Sequence, residues 1–392
     1  MVNALFVNSG ILGQRTFSRW VDRTFVQATD IRATQLVLTE QLTLFDRVVR
    51  RVACQRLWPA SARVKNLDLF RFRAELNAGW LARRRIDALL RAGRSIDVMH
   101  FHHQATAFGS VALMRRIPTI ISIDCTQTCV MANATSPLEL ASYGPNVRRD
   151  GEIFRAAKVI VSPSQWAANC VRTEYPECEA PIVILPVPVD IDALSESWID
   201  ERRARAATPG YRPRVLFVGG DFQRKGGYDL LRVWRERQLG ERADLHVMTG
   251  ASIDPASLSG GVHIHFGIDA HTPTWVDLWR TADLFVLPTR NEAFGMVFQE
   301  AAAAGLPAIG PRLNAVPELI ADGRTGLLIP PQDDRALAEA IERLLSSADL
   351  RHEFGRQARQ MVAEQAHPAR YRASLMALFE RLSSAGDRVH AA

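Results

Sequence analysis

Short, largely apolar runs restrict the fold of this chain more than any other feature. IDVMHF (96–101), PTIISI (118–123), AKVIVS (157–162), RVLFV (214–218) and LFVL (284–287) are each four to six residues long. A strand apolar on both faces needs cover on both sides, as in a parallel sheet between two layers of helices. Amphipathic helical patterns separate the runs. Polar residues gather at the strand ends, among them His102-His103-Gln104, Asp124, Gly219-Gly220 and Thr289-Arg290-Asn291-Glu292. The alternation predicts a doubly wound α/β architecture.

The series occurs twice. Val2–Val7, Thr34–Leu38 and Ile182–Leu185 complete the first set of strands. Residues 195–212 then turn charged and alanine-rich and end in TPGYRP, which suits a linker or a surface helix. Arg214–Val218 starts the second set, continued by Leu245–Met248, Val262–His265, Leu284–Leu287, Ala308–Ile309 and Gly326–Ile329. At 392 residues, two domains are the natural expectation. The reading is two Rossmann-like parallel-sheet domains, 1–190 and 213–366, joined by a linker at 191–212 and facing across a cleft.

Charge is unevenly placed. The net +6 conceals residues 41–94, where 13 basic residues oppose four acids, a local excess of nine. Phe45, Trp58, Phe70, Phe72 and Trp80 are interleaved with those arginines. Arginine with aromatics on amphipathic helices suits an anionic membrane surface, or else a solvated basic face over an ordinary core. No nucleic-acid motif accompanies the charge, so no nucleic-acid partner is expected. The opening MVNALFVNSGILGQRTF lacks a basic flank and turns polar at Asn8, which reads as a first strand and not a signal peptide. No run of 18 apolar residues occurs. Five irregularly spaced cysteines fit a reducing compartment better than a disulfide framework. The expected location is cytoplasmic, peripheral to the inner face of the cell membrane.

Two stretches carry the chemistry. In VLFVGGDFQRKGGYDLL (215–231), Arg224 and Lys225 stand just before a helix, a phosphate site in kind or else an exposed basic turn. Only three of the 48 basic residues are lysines (Lys65, Lys158, Lys225), so a compact point charge has been kept where the rest of the chain writes arginine. In LFVLPTRNEAFGMVFQEAAAAGLP (284–307), Glu292 precedes a helix and Glu300 lies about two turns inside it. Backbone N–H groups of Gly295, Met296 and Val297 would hold phosphate with Arg224 and Lys225. Glu292 would accept hydrogen bonds from a sugar, and Glu300 from a ribose or merely solvate its helix.

The second stretch resembles the E-x7-E signature of the family 4 retaining glycosyltransferases. GGDFQRKGG is similar to that family's phosphate segment, AGLPAIG…AVPELIADGRTGLLIPPQD to the part that follows the signature, and AAKVIVSPSQWAANC and ILPVPVDID to the end of its first domain and its linker. The likeness runs through residues 157–365 and is topological before them. It implies the GT-B fold, with residues 367–392 as a helix crossing back to the first domain. It implies transfer of a sugar, with retention, from a nucleoside-diphosphate sugar such as a UDP-sugar to a hydroxyl of a carbohydrate or lipid-linked acceptor, as in polysaccharide or glycolipid synthesis. Catalytic roles fall on Glu292, Lys225, Arg224 and Asp124, and no metal or other cofactor is implied.

The first domain would hold the acceptor. Gly10 and Gly13 follow the first strand where the family places a glycine loop against the donor phosphates, though without its adjacent glycine pair. His100, His102 and His103 match the family's H-x-H strand end in part, or are structural. Asp124 would orient or deprotonate the acceptor hydroxyl, or cap a turn. Cys125 and Cys129 could be drawn with His102 or His103 as a zinc site, but small buried thiols explain a single CxxxC better. Asp190-Ile191-Asp192 has the letters of a metal motif in the linker's place. Two alternatives remain: a nucleotide-sugar epimerase of the same fold, and a non-catalytic subunit that binds glycan or lipid.

Overall fold

The computed structural model describes residues 1–392 except 11–13, 58–68, 132, 133, 135, 192, 256, 257, 391 and 392, and except the side chains of 14, 15 and 385–390. The chain divides into two compact units, Met1–Val187 with Ala369–Ala392, and Pro188–Pro368.

The first unit is built on six parallel strands: β1 (Asn3–Asn8), β2 (Arg32–Val37), β3 (Val98–His102), β4 (Thr119–Ser122), β5 (Val159–Ser162) and β6 (Ile182–Ile184), in the order β2-β1-β3-β4-β5-β6. The central strands β3, β4 and β5 are buried along almost their whole length, which is why they read as continuous apolar runs. β2 is a half-exposed edge and carries alternating polar residues. The helix Pro368–His390 brings Tyr371 and Phe379 against Phe17, Phe25 and Phe6.

The second unit holds β7 (Arg214–Val218), β8 (Asp244–Thr249), β9 (Val262–Phe266), β10 (Leu284–Val286), β11 (Ala308–Pro311) and β12 (Gly326–Ile329). Their order is β12-β11-β10-β7-β8-β9, all parallel. The strand order reverses between β7 and β10, and ligands of open α/β sheets bind beyond the carboxyl ends of strands at such a switch point. In the first unit the equivalent point lies between β1 and β3. Residues 195–212, expected as a linker or a surface helix, do carry a helix, Ser197–Ala206, but it buries Trp198, Ile199 and Arg202 within the second unit. Its low apolar content concealed this, because the residue that anchors it is an arginine. Arg202 donates to the carbonyls of Gly305, Trp279 and Ala304 at 3.2, 3.2 and 2.6 Å.

Short helices of the first unit at Val111–Met114, Gln127–Met131 and Pro137–Ser142 escaped the periodic pattern, each being under two turns. Gly144–Ala156 was hidden by its Gly-Pro start, although proline suits a first helical turn. Among the described residues no helix is long and apolar enough to cross a membrane.

Candidate active site

Beyond β7 the chain turns through Gly219-Gly220 into a tight loop. The Lys225 N–H donates to the Asp221 carbonyl at 2.9 Å, and the helix Gly227–Glu236 follows. Gly226 takes a left-handed φ of +76°, and a Cβ there would lie 2.1 Å from the Pro288 carbonyl oxygen at the end of β10. The β7 and β10 loops therefore touch backbone to backbone. Gly226→Ala is expected to destabilise the second unit by about 2–3 kcal/mol, since left-handed strain and a main-chain clash act together. A lowered urea midpoint at unchanged slope would register the loss.

Three contacts fix the β10 turn onto this loop. The Arg290 N–H donates to the Arg224 carbonyl at 2.8 Å. The buried Thr289 hydroxyl lies 3.3 Å from the Arg224 carbonyl. The Arg224 guanidinium reaches the Asn291 carbonyl at 2.8 Å and the Asp221 carboxylate at 3.1 Å. Arg290 also makes a two-pronged pair with Asp229, at 2.9 and 2.7 Å, and Arg232 joins Asp229 at 2.7 Å. Burial of Asp229 works against its charge, but the hydrogen bonds from Arg290 and Arg232 together hold it below the usual carboxylate range. Sequence reasoning missed this Asp229 brace. Its only signal was a second arginine, Arg290, inside the acidic turn.

The brace brings Lys225 and Glu292 into a direct, largely buried ion pair, with side chains 14% and 12% exposed. The sequence assigned these two groups to separate parts of a ligand, phosphate for one and sugar for the other. In this state each neutralises the other. Asn314 holds the Glu292 carbonyl at 2.9 Å from the loop after β11.

Gly295, at φ +93°, starts the helix Met296–Ala303. A Cβ at Gly295 would meet Phe298 at 2.9 Å and Glu292 at 3.1 Å, so glycine is required where the turn meets the helix. No side chain caps this N-terminus, which leaves the first N–H groups, at Met296 and Val297, directed to an incoming acceptor. Glu300 is partly buried, and its carboxylate has no hydrogen-bond or ion-pair partner among the described residues. Burial pushes it up to about 7. A carboxylate in that state is poised to accept donors that a ligand brings.

In the first unit, His100 is fully buried beneath the β3 end and bonds the Ser122 hydroxyl at 2.7 Å, and burial pushes it down to about 3. His102 stacks on Phe17 with ring centroids 3.6 Å apart, and burial holds it well below the ordinary histidine range. Both are neutral packing groups. The His103 ring accepts from the Ala105 N–H at 3.1 Å, capping the next turn. Asp124 is exposed at the end of β4. Gly13 lies outside the described residues, as do Trp58 and Asp192. Asp190 accepts from the Ala193 N–H at 3.3 Å in a local turn. A zinc site joining Cys125, Cys129 and these histidines does not form, because His102 and His103 are spent on Phe17 and Ala105. Cys129 instead faces Cys170.

Residues 199–361 match the family described as Glycosyl transferases group 1, and residues 46–193 that described as Glycosyltransferase Family 4. A D-inositol 3-phosphate glycosyltransferase of Corynebacterium urealyticum is 38% identical over 301 residues, covering 71% of this chain and 69% of that protein. One from Arthrobacter sp. (strain FB24) is 27% identical over 284 residues, covering 67% of this chain and 65% of that protein, so the match spans slightly less than two thirds of that relative. Among solved structures, sucrose-phosphate synthase from Thermosynechococcus elongatus superposes with a TM-score of 0.72 at 16% identity, covering 98% of this chain and all of that one. Anabaena Alr3699/HepE, crystallised with UDP and glucose, gives 0.66 at 14% identity, covering 97% of this chain and all of that one. These two likenesses show the shared two-domain GT-B fold.

Proposed function

The chain belongs to the family 4 glycosyltransferases, and we propose that it moves a sugar from a nucleoside diphosphate, UDP above all, to an acceptor hydroxyl with retention of configuration. The observation that carries this reading is the meeting, at the switch point of one sheet, of Lys225, Glu292 and the uncapped N-terminus of the Met296–Ala303 helix. Lys225, Arg224 and the N–H groups of Gly295, Met296 and Val297 hold the diphosphate and stabilise the charge that develops as its bond to the sugar breaks. Glu292 gives up Lys225 to that phosphate and turns to the sugar hydroxyls. Glu300 takes the ribose. With these groups meeting the charge, the reading requires no metal, and turnover is expected not to rise with added magnesium or manganese.

Asp124, exposed after β4, orients or deprotonates the acceptor hydroxyl. The relatives named for D-inositol 3-phosphate make a phosphorylated polyol the first acceptor to try. UDP- and GDP-sugars offered with such acceptors, read by mass spectrometry, test the reaction, and NMR of the product's anomeric centre tests retention. Product formed from donor alone would indicate an epimerase. Absence of calorimetric UDP or GDP binding at millimolar concentration would indicate a non-catalytic subunit.

The acceptor side docks on an anionic membrane. What supports this is the helix Leu44–Ala53, whose Leu44, Phe45, Val48 and Val52 are 57–80% exposed along one face. Arg47, Arg50 and Arg51 flank that face and make no ion pair among the described residues. The nearby Arg83, Arg84 and Arg85 are engaged with Asp87, Asp46 and the Val37 carbonyl, so they serve the fold first. Flotation with anionic liposomes is expected to fall with salt, and to be lost when Arg47, Arg50 and Arg51 are changed to glutamate. Flotation that the triple variant leaves intact would place the contact elsewhere.

A further inference from the structure

Beside the segment after β4, one cluster has a chemistry of its own. Cys129 lies on the helix Gln127–Met131 after β4, and Cys170 and Glu174 lie on the helix Gln165–Glu174 after β5. Four residues apart, Cys170 and Glu174 share a helix face, and that face meets Cys129. The two sulfurs are 3.0 Å apart, and Cys129 Sγ is 3.8 Å from Glu174 Oε1. One ligand atom from each of the three lies within 4.8 Å of the others, and all three residues are partly buried. The Thr126 hydroxyl bonds both Glu174 and Cys129. Glu174 has no cationic partner among the described residues. With the thiol protons lost, the trio supplies three anionic ligands to a cation placed among them.

We propose that Cys129, Cys170 and Glu174 form a binding site for a borderline-soft divalent cation of the zinc class. Thiolate and carboxylate are ligands such an ion takes together, at ~2.3 Å to sulfur and ~2.0–2.2 Å to oxygen in tetrahedral sites, with water in the fourth position. That geometry separates the sulfurs to about 3.8 Å, a movement under about 1 Å that rotation of the side chains supplies. Binding expels the two thiol protons, and each thiolate and the carboxylate donates an electron pair to the ion. The bound ion ties the segment after β4, which contains Asp124, to the helix after β5. Its role is to order the acceptor side of the first unit rather than to take part in transfer.

Cobalt(II) titration of the full chain, reduced and stripped of metal, tests the site by absorption. One equivalent is expected to give the thiolate-to-cobalt charge-transfer band and the visible bands of a tetrahedral ion, both erased by added zinc. Cys129→Ser and Cys170→Ser are each expected to remove the charge-transfer band. Glu174→Gln is expected to weaken binding while the band persists, and Cys54→Ser to leave the titration unchanged. A wild-type chain showing no thiolate band would overturn the site, however the variants fold. So would a band surviving in both cysteine variants, or a reduced chain that takes up no cobalt yet loses two hydrogens to a Cys129–Cys170 disulfide on mild oxidation.

Discussion

Lys225→Ala is expected to lower kcat for sugar transfer by about 10²–10³-fold, the usual cost of removing one preorganised group that stabilises charge in the transition state. Two losses coincide. The diphosphate loses its least exposed cation, and Glu292, now unpaired, directs its charge toward the leaving group. Glu292→Ala should behave differently. It frees Lys225, so UDP binds as tightly as to wild type or more so, while transfer still falls because the sugar loses its acceptor. The two substitutions are therefore separable by calorimetry even where turnover falls equally in both, and the double variant should be non-additive, as for any pair in contact. Wild-type turnover in both single variants would sink the assignment of this pair to the donor site.

Glu300→Gln is the second large effect, and it has opposite signs for stability and binding. The folded-state carboxyl sits near 7 against an ordinary 4.5, so the native chain holds a proton there that the unfolded chain has released. Stability consequently falls as pH rises from 4.5 through 7, by on the order of 3 kcal/mol in all. Glutamine cannot ionise, so the variant should melt several degrees above wild type at pH 8 and show little difference at pH 4. Nucleotide binding runs the other way. Ribose hydroxyls donate to the ionised form, so UDP affinity in the wild type should rise between about pH 5 and 7 with release of a proton. Calorimetry at pH 6 in buffers of different ionisation enthalpy reads that proton directly. The variant should release none and bind UDP about 10–100-fold more weakly, the value of hydrogen bonds to a charged group. A variant less stable than wild type at pH 8 would refute the burial argument. Proton release that persists in it would refute the ribose assignment.

The strands of both sheets were legible because central parallel strands are apolar on both faces, and the positions of Lys225, Glu292 and Glu300 followed from strand ends and helix starts. Less legible was whatever depends on partners distant in sequence. Nothing in the local pattern announces that Arg290 braces Asp229, or that Lys225 pairs with Glu292, because these meet only when β10 lies beside β7. The burial of the helix Ser197–Ala206 was missed for a related reason, since its anchor, Arg202, looks like a surface residue until the three carbonyls it caps are seen. The histidines show the reverse. Their placement after β3 suggested chemistry, and their burial makes them packing groups.

Two of the carbonyls that Arg202 caps, Ala304 and Gly305, lie at the far end of the Met296–Ala303 helix, where Arg359 also donates to the Ala303 carbonyl. The tail of that helix is thus quenched by two guanidinium groups, while its head is left open, so its field projects in one direction only. Burial pushes Arg202 down to about 9, which still leaves it charged at neutral pH. A lysine suffering the same displacement would begin near 10.4 and finish close to about 7, flickering between charged and neutral forms. In a chain that writes arginine almost everywhere, this is a place where the preference matters. It keeps the helix polarised through the pH range in which a cell works, so under the proposed function the donor would meet a field already set before it arrives.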